Sequence, residues 1–168
     1  MAASTYSFTG HCRCCPTPAA VRRSAPGLRQ LLPDYLMFKH NLRILLVEDH
    51  PFQLIATQIL LNNLGYFLLT PALTAAEAMQ AIQRSAEPYD LLLCDQCLPD
   101  GEGFDVIEQA FKAGMARYAI VLSGLDTPQL QALEQLAAKR ELPLLGCLNK
   151  PLHGPDLSRL MASYFPDS

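Results

Sequence analysis

The stretch Leu91-Leu92-Leu93-Cys94-Asp95-Gln96-Cys97-Leu98-Pro99-Asp100-Gly101 decides how this chain is read. A short, continuous apolar run bounded by turn residues reads as a strand buried on both faces, the kind found in parallel sheets. Asp95 then falls at the carboxyl end of that strand, which is where open α/β sheets bind their ligands. A lone aspartate there would serve equally well as a turn cap. Its company in the rest of the chain separates the two readings.

On the amino-terminal side, Leu42-Arg43-Ile44-Leu45-Leu46-Val47 has a strand pattern and ends in Glu48-Asp49. Pro51 suits the first turn of a helix, where its missing N–H costs nothing. A stripe of Phe52, Ile55, Ile59 and Leu60 continues that helix to a stop at Gly65. Tyr66 to Thr70 reads as a second strand. Thr74-Ala75-Ala76-Glu77 is a capping box that opens a helix with Ala78, Ala81 and Ile82 on one face. On the carboxyl-terminal side, a loop over Pro99–Gly103 precedes a helix marked by Phe104, Ile107, Ala110 and Phe111. Tyr118–Leu122 is a fourth strand, closing on Ser123-Gly124. Asp126-Thr127-Pro128-Gln129 caps a helix whose face is Leu130, Leu133, Leu136 and Ala137. Pro143–Leu148 is a fifth strand, ending at Asn149-Lys150-Pro151, and a last amphipathic helix runs through Leu157, Leu160 and Met161. Strands alternating with helices imply a parallel sheet covered on both faces and joined by right-handed crossovers.

Composition narrows the function classes. The 168 residues suffice for one domain with a full core. Residues 1–41 carry five basic side chains against Asp34 alone; the other eight basic residues face fifteen acidic ones, a balance of −7. An acidic globular part argues against direct nucleic-acid binding. No apolar run approaches the ~18 residues of a membrane span. Cys94, Cys97 and Cys147 lie in or beside apparent buried strands and form no disulfide framework, which suits a reducing cytoplasm. Residues 1–40, with four scattered prolines and no periodicity, read as a basic, disordered leader, and residues 41–165 as the folded domain. His11, Cys12, Cys14 and Cys15 lack the second ligand pair of a zinc site. The leader's composition is close to that of a transit peptide, and Met37 stands where a later translational start would place it.

Glu48-Asp49, Asp95, Ser123 and Lys150 end successive parallel strands and should meet at one sheet edge. Clustered carboxylates call for a hard cation, and Mg²⁺ takes oxygen ligands while keeping several waters. One carboxylate left free to react, a cation and two further donors constitute a phosphoryl-transfer site in which the nucleophile is an aspartate.

The motifs LRILLVEDH, LLLCDQCLPDGEGFDVI, AIVLSG and LNKP together make residues 42–164 resemble the receiver domain of two-component response regulators. The resemblance implies a flavodoxin-like (βα)5 doubly wound sandwich around a five-stranded parallel sheet. It implies that Asp95 accepts a phosphoryl group from a sensor histidine kinase or phosphotransfer protein. Mg²⁺ would be held by Asp49 and Asp95, by Glu48 through water, and by the backbone carbonyl of Cys97. Ser123 and Lys150 would hold the phosphoryl oxygens, with a cis bond before Pro151. Such a protein is no enzyme beyond its own phosphorylation and dephosphorylation. Its output is binding of a downstream effector protein, through the face of the fourth helix, fifth strand and fifth helix, with a homodimer left open. The chain departs from the pattern at Cys147, where receivers often carry a Tyr or Phe switch residue. LGCLNKP also bears a faint likeness to receivers fused to cyclic-di-GMP phosphodiesterases. Two other readings compete: a degenerate receiver acting as a phosphorylation-independent scaffold, and a haloacid-dehalogenase-like phosphatase. The phosphatase would need an aspartate where Cys97 stands.

Overall fold

The computed structural model describes residues 41–165; residues 1–40, with their cysteine cluster and the leader expected there, lie outside the described residues. Seven strands and five helices follow one another in this part of the chain. They are β1 (Arg43–Val47), α1 (Pro51–Asn63), β2 (Leu68–Ala72), α2 (Ala75–Arg84), β3 (Tyr89–Asp95), β4 (Cys97–Leu98), β5 (Gly101–Glu102), α3 (Gly103–Lys112), β6 (Ala116–Ser123), α4 (Thr127–Lys139), β7 (Leu144–Asn149) and α5 (Gly154–Tyr164). Five strands form a parallel sheet in the order β2-β1-β3-β6-β7, as the alternating pattern implies. Ile44 pairs with Leu91 and Cys94 with Val121, so the most apolar strands occupy the centre.

The period of two along these strands sorts the core into two layers. Leu45, Val47, Leu92, Cys94, Ala119 and Val121 pack against α2, α3 and α4 through Ala78, Ile82, Phe104, Ile107 and Ala137. Ile44, Leu46, Leu91, Leu93, Ile120 and Leu122 pack against α1 and α5 through Leu54, Leu61, Leu157 and Met161. Strands that are apolar on both sides are what a sheet sandwiched between two helix layers requires.

Three features differ from the sequence expectation. The second strand is Leu68–Ala72 rather than Tyr66–Thr70. Tyr66 is instead buried ahead of the strand, its N–H donating to Leu61 O (3.0 Å) at the end of α1. Pro71 is tolerated because β2 is an edge strand, where a missing donor faces outward. The loop after Asp95 contains a small antiparallel hairpin, β4–β5, with Cys97 opposite Glu102 and Leu98 opposite Gly101. Finally, α1 is turned the other way: Leu54, Thr57 and Leu61 face the core, while Phe52, Ile55 and Ile59 are 79%, 53% and 55% exposed. Among the described residues, no helix is long and apolar enough to cross a membrane.

Candidate functional site

The sheet ladder continues past the strand ends and fixes the groups that follow. Glu48 N–H donates to Ala72 O (3.0 Å), Gln96 N–H to Leu122 O (3.0 Å) and Lys150 N–H to Ser123 O (2.9 Å). Glu48, Asp95, Ser123 and Lys150 are thereby held at one carboxyl edge. Glu48 is 1% exposed, Asp95 and Ser123 are also buried, and Asp49 reaches solvent. Oxygen atoms of Glu48, Asp49 and Asp95 all lie within 4.8 Å of one another.

Lys150 bridges this acidic group. Its Nζ donates to Asp95 Oδ2 at 2.6 Å and to Glu48 Oε1 at 2.9 Å, and lies 2.7 Å from Glu48 Oε2. Burial works against the ammonium charge, but the hydrogen bonds with Asp95 and Glu48 outweigh it and hold Lys150 above its ordinary pKa. Three carboxylates around one ammonium leave a formal excess of two negative charges, which a divalent cation would balance. The all-oxygen donor set, with Asp49 open to water, fits a hydrated hard cation such as Mg²⁺.

The ordinary structural roles open to these residues are only partly taken up. Glu48 and Asp49 do not cap α1: its N-cap is His50, with no side-chain cap hydrogen bond. Asp95 Oδ1 accepts the Cys97 N–H (3.1 Å), and Ser123 Oγ accepts the Leu125 N–H (3.2 Å), so both also brace local turns. The Lys150–Pro151 bond is cis. Cys147 is half-buried on β7. Burial, with the charge of Glu134 adding to it, pushes its thiol up to about 12. Cys147 therefore presents neither a ring nor a reactive thiolate. Its N–H donates to Glu134 Oε1 (3.3 Å), which ties β7 to α4. The Cys94 thiol is likewise raised, first by burial and then by Asp95 and Glu48, and stays protonated beside the site.

Gly103, at the start of α3, escaped the sequence reading. A Cβ there would run into the backbone carbonyl oxygen of Asp95, and would lie 2.9 Å from that carbonyl carbon and 3.0 Å from Cys94 Sγ. Only glycine lets α3 begin this close to the end of β3. Gly103→Ala is expected to destabilise the domain by about 2–3 kcal/mol, because backbone rather than a flexible side chain must move. Urea denaturation checks this, and an unchanged midpoint would show that α3 re-seats freely.

A sequence model of the response regulator receiver domain matches residues 44–162. The chain belongs to that family. The chain is 27% identical over 150 residues to Two-component system protein A of Emericella nidulans, a match covering 89% of this chain and 20% of that protein. It thus spans about a fifth of its relative's length. Among solved structures it is similar to a CheY-like response regulator receiver domain protein from Methanospirillum hungatei. There the identity is 27% and the TM-score 0.59, covering 74% of this chain and 94% of that one. The signal receiver domain of an HD domain-containing protein from Pseudomonas fluorescens is similar at 25% identity and a TM-score of 0.59, over 72% of this chain and 91% of that one.

Proposed function

We propose that this receiver takes a phosphoryl group onto Asp95 from the phosphohistidine of a sensor histidine kinase or phosphotransfer protein. It works in the cytoplasm and signals by phosphorylation-switched binding of a protein effector. The observation that carries this reading is the convergence of Glu48, Asp49 and Asp95 at the sheet edge, with Lys150 paired to Glu48 and Asp95. In the transfer, an Asp95 carboxylate oxygen forms the new bond to phosphorus. The phosphorus–nitrogen bond breaks, and the imidazole nitrogen keeps the electron pair and is protonated. Asp49, Asp95, the Cys97 carbonyl and, through water, Glu48 would hold Mg²⁺, which would supply positive charge against the phosphoryl oxygens. Lys150 exchanges Glu48 for a phosphoryl oxygen, and the Ser123 hydroxyl donates to another. On this reading the protein turns over no substrate other than its own phosphate. The three described cysteines are free thiols, in keeping with a reducing compartment.

The test is intact-protein mass after incubation with acetyl phosphate, with Mg²⁺ and with EDTA. A Mg²⁺-dependent gain of one phosphoryl group (~80 Da for an acyl phosphate), labile to hydroxylamine, supports the proposal. No adduct together with no Mg²⁺ binding would leave a phosphorylation-independent scaffold.

The outward face of α1 favours a protein as the physiological donor. Phe52, Ile55 and Ile59 form an exposed apolar stripe on the helix that begins beside Glu48 and Asp49, and such stripes mark protein contacts. Ile55→Asp is expected to slow transfer from the cognate phosphohistidine protein by about tenfold or more, since one charge in an apolar contact costs more than about 1.4 kcal/mol. Uptake from acetyl phosphate should stay at the parent rate. Equal slowing with both donors would place the defect in the site rather than in docking.

A further inference from the structure

The β4–β5 hairpin that follows Asp95 is fastened at both ends. At its base, Cys97 N–H donates to Asp95 Oδ1 (3.1 Å), and Gly103 N–H donates to Gln96 O (3.0 Å). At its tip, Asp100 reaches back across the domain surface. Its Oδ1 accepts the Ala75 N–H (2.8 Å) and its Oδ2 accepts the Ala76 N–H (2.9 Å). These are the first two donors of α2, which no carbonyl within a helix can satisfy. The helix already has its own local caps: Thr74 Oγ1 accepts the Glu77 N–H, and Glu77 Oε2 accepts the Leu73 N–H. Asp100 is therefore a bridge between two loops rather than the helix's routine cap.

Packing does little to hold this hairpin. Cys97, Pro99, Asp100, Gly101 and Glu102 are exposed, and only Leu98 is half-buried against the core layer that also takes Ala75. Its position thus depends on hydrogen bonds, of which the Asp100 pair is charge-assisted. The N–H groups of Ala76 and Ala75 hold the Asp100 carboxyl below its usual pKa, so the bridge is charged at neutral pH.

We propose that Asp100 is a positioning residue for the phosphoacceptor site: by anchoring the hairpin to α2, it fixes the Cys97 backbone where its carbonyl serves the cation. The inference rests on the reading of Glu48, Asp49 and Asp95 as the cation site and of Asp95 as the phosphoacceptor. It separates cation affinity from the reactivity of Asp95, Ser123 and Lys150, which Asp100 does not touch.

The experiment compares the full chain with Asp100→Ala, Asp100→Asn, Ala75→Pro and the Asp100→Ala/Ala75→Pro double variant. Mg²⁺ affinity is read by calorimetry, and the rate of uptake from acetyl phosphate is read across a Mg²⁺ titration. Asp100→Ala is expected to weaken Mg²⁺ binding about tenfold, as losing the partners that orient ligands does. The rate at saturating Mg²⁺ should hold within about twofold, the pattern of a lost binding contribution. Asparagine keeps one acceptor oxygen and should recover much of the affinity. Proline is tolerated at the first helical position, and Thr74 before it is already extended (φ −143°, ψ 161°). Ala75→Pro removes one donor while leaving Asp100 in place. It should weaken Mg²⁺ binding in the same direction, and in the double variant it should add nothing to Asp100→Ala. Parent-like Mg²⁺ affinity in Asp100→Ala would overturn the positioning role alone. So would a loss of melting temperature and maximal rate at unchanged affinity. A parent protein that neither binds Mg²⁺ nor takes up phosphate would overturn the site reading and this inference together.

Discussion

Asp95→Asn is expected to reduce phosphoryl uptake from acetyl phosphate to background while the domain stays folded. Asparagine keeps an oxygen that accepts the Cys97 N–H, so the turn after β3 retains its brace. It has no anionic oxygen to bond phosphorus, and its amide nitrogen is a poor substitute nucleophile. The amide would meet Lys150 Nζ, now 2.6 Å from Oδ2, with either an oxygen or a second donor. Lys150 then relies more heavily on Glu48. Against that lost pair stand the relief of one charge from a cluster of three carboxylates and the remaining Lys150–Glu48 pair, so stability should change little. Mg²⁺ binding should weaken as well, because one carboxylate of the set is gone. Intact mass at matched Mg²⁺ saturation reads the uptake, thermal unfolding the stability and calorimetry the Mg²⁺ affinity. Uptake by the variant at the parent rate would remove Asp95 from the mechanism.

The parts of this site that were legible in the sequence are those that strand chemistry dictates. Leu91–Cys94 and Ile120–Leu122 are apolar on both faces, so they had to be central strands, and the polar residues that end them had to share an edge. The same logic placed Glu48 after β1 and Lys150 after β7. What sequence could not show depends on contacts between distant segments. Asp100 reads as one more turn residue in a Pro-Asp-Gly loop, and its partners lie 24 and 25 residues earlier. Gly103 reads as a loop glycine until the distance to the Asp95 carbonyl is known. In α1, apolar residues occur on two sides of the helix: Leu54 and Leu61 on one, Phe52, Ile55 and Ile59 on the other. Periodicity detects the helix there but cannot choose its buried face. Both stripes repeat at helical spacing, and only the sheet decides which is covered. The face left over is the apolar surface beside the site, so the misreading falls where the proposed docking role would override the usual polarity of a helix exterior.

Lys150→Met is expected to destabilise the cation-free domain by about 3 kcal/mol at neutral pH. Breaking a buried pair by removing one partner typically costs about 3–5 kcal/mol, and the partial exposure of Lys150 puts this case at the low end. Methionine keeps the length and the apolar stem, so the loss comes from charge rather than volume. Glu48 is the residue that suffers, because it is fully enclosed. Without Lys150, its one remaining hydrogen bond among the described residues is from the His50 N–H, at 3.4 Å. Mg²⁺ should restore much of the loss, since the cation brings positive charge to the same oxygens, and the variant should gain more stability from Mg²⁺ than the parent does. Uptake from acetyl phosphate should remain poor even then, because the donor to the phosphoryl oxygen is absent. The pH dependence has a definite sign. The folded-state pKa of Lys150 lies above its ordinary 10.5, so its contribution is complete below pH 10.5 and disappears as pH rises through the folded value. The stability gap between parent and variant, measured by urea denaturation, should therefore be undiminished by Lys150 titration near pH 8 and should narrow only above pH 10.5. A gap that is absent at neutral pH, or that Mg²⁺ leaves unchanged, would mean that Lys150 is not what neutralises Glu48 in the cation-free site.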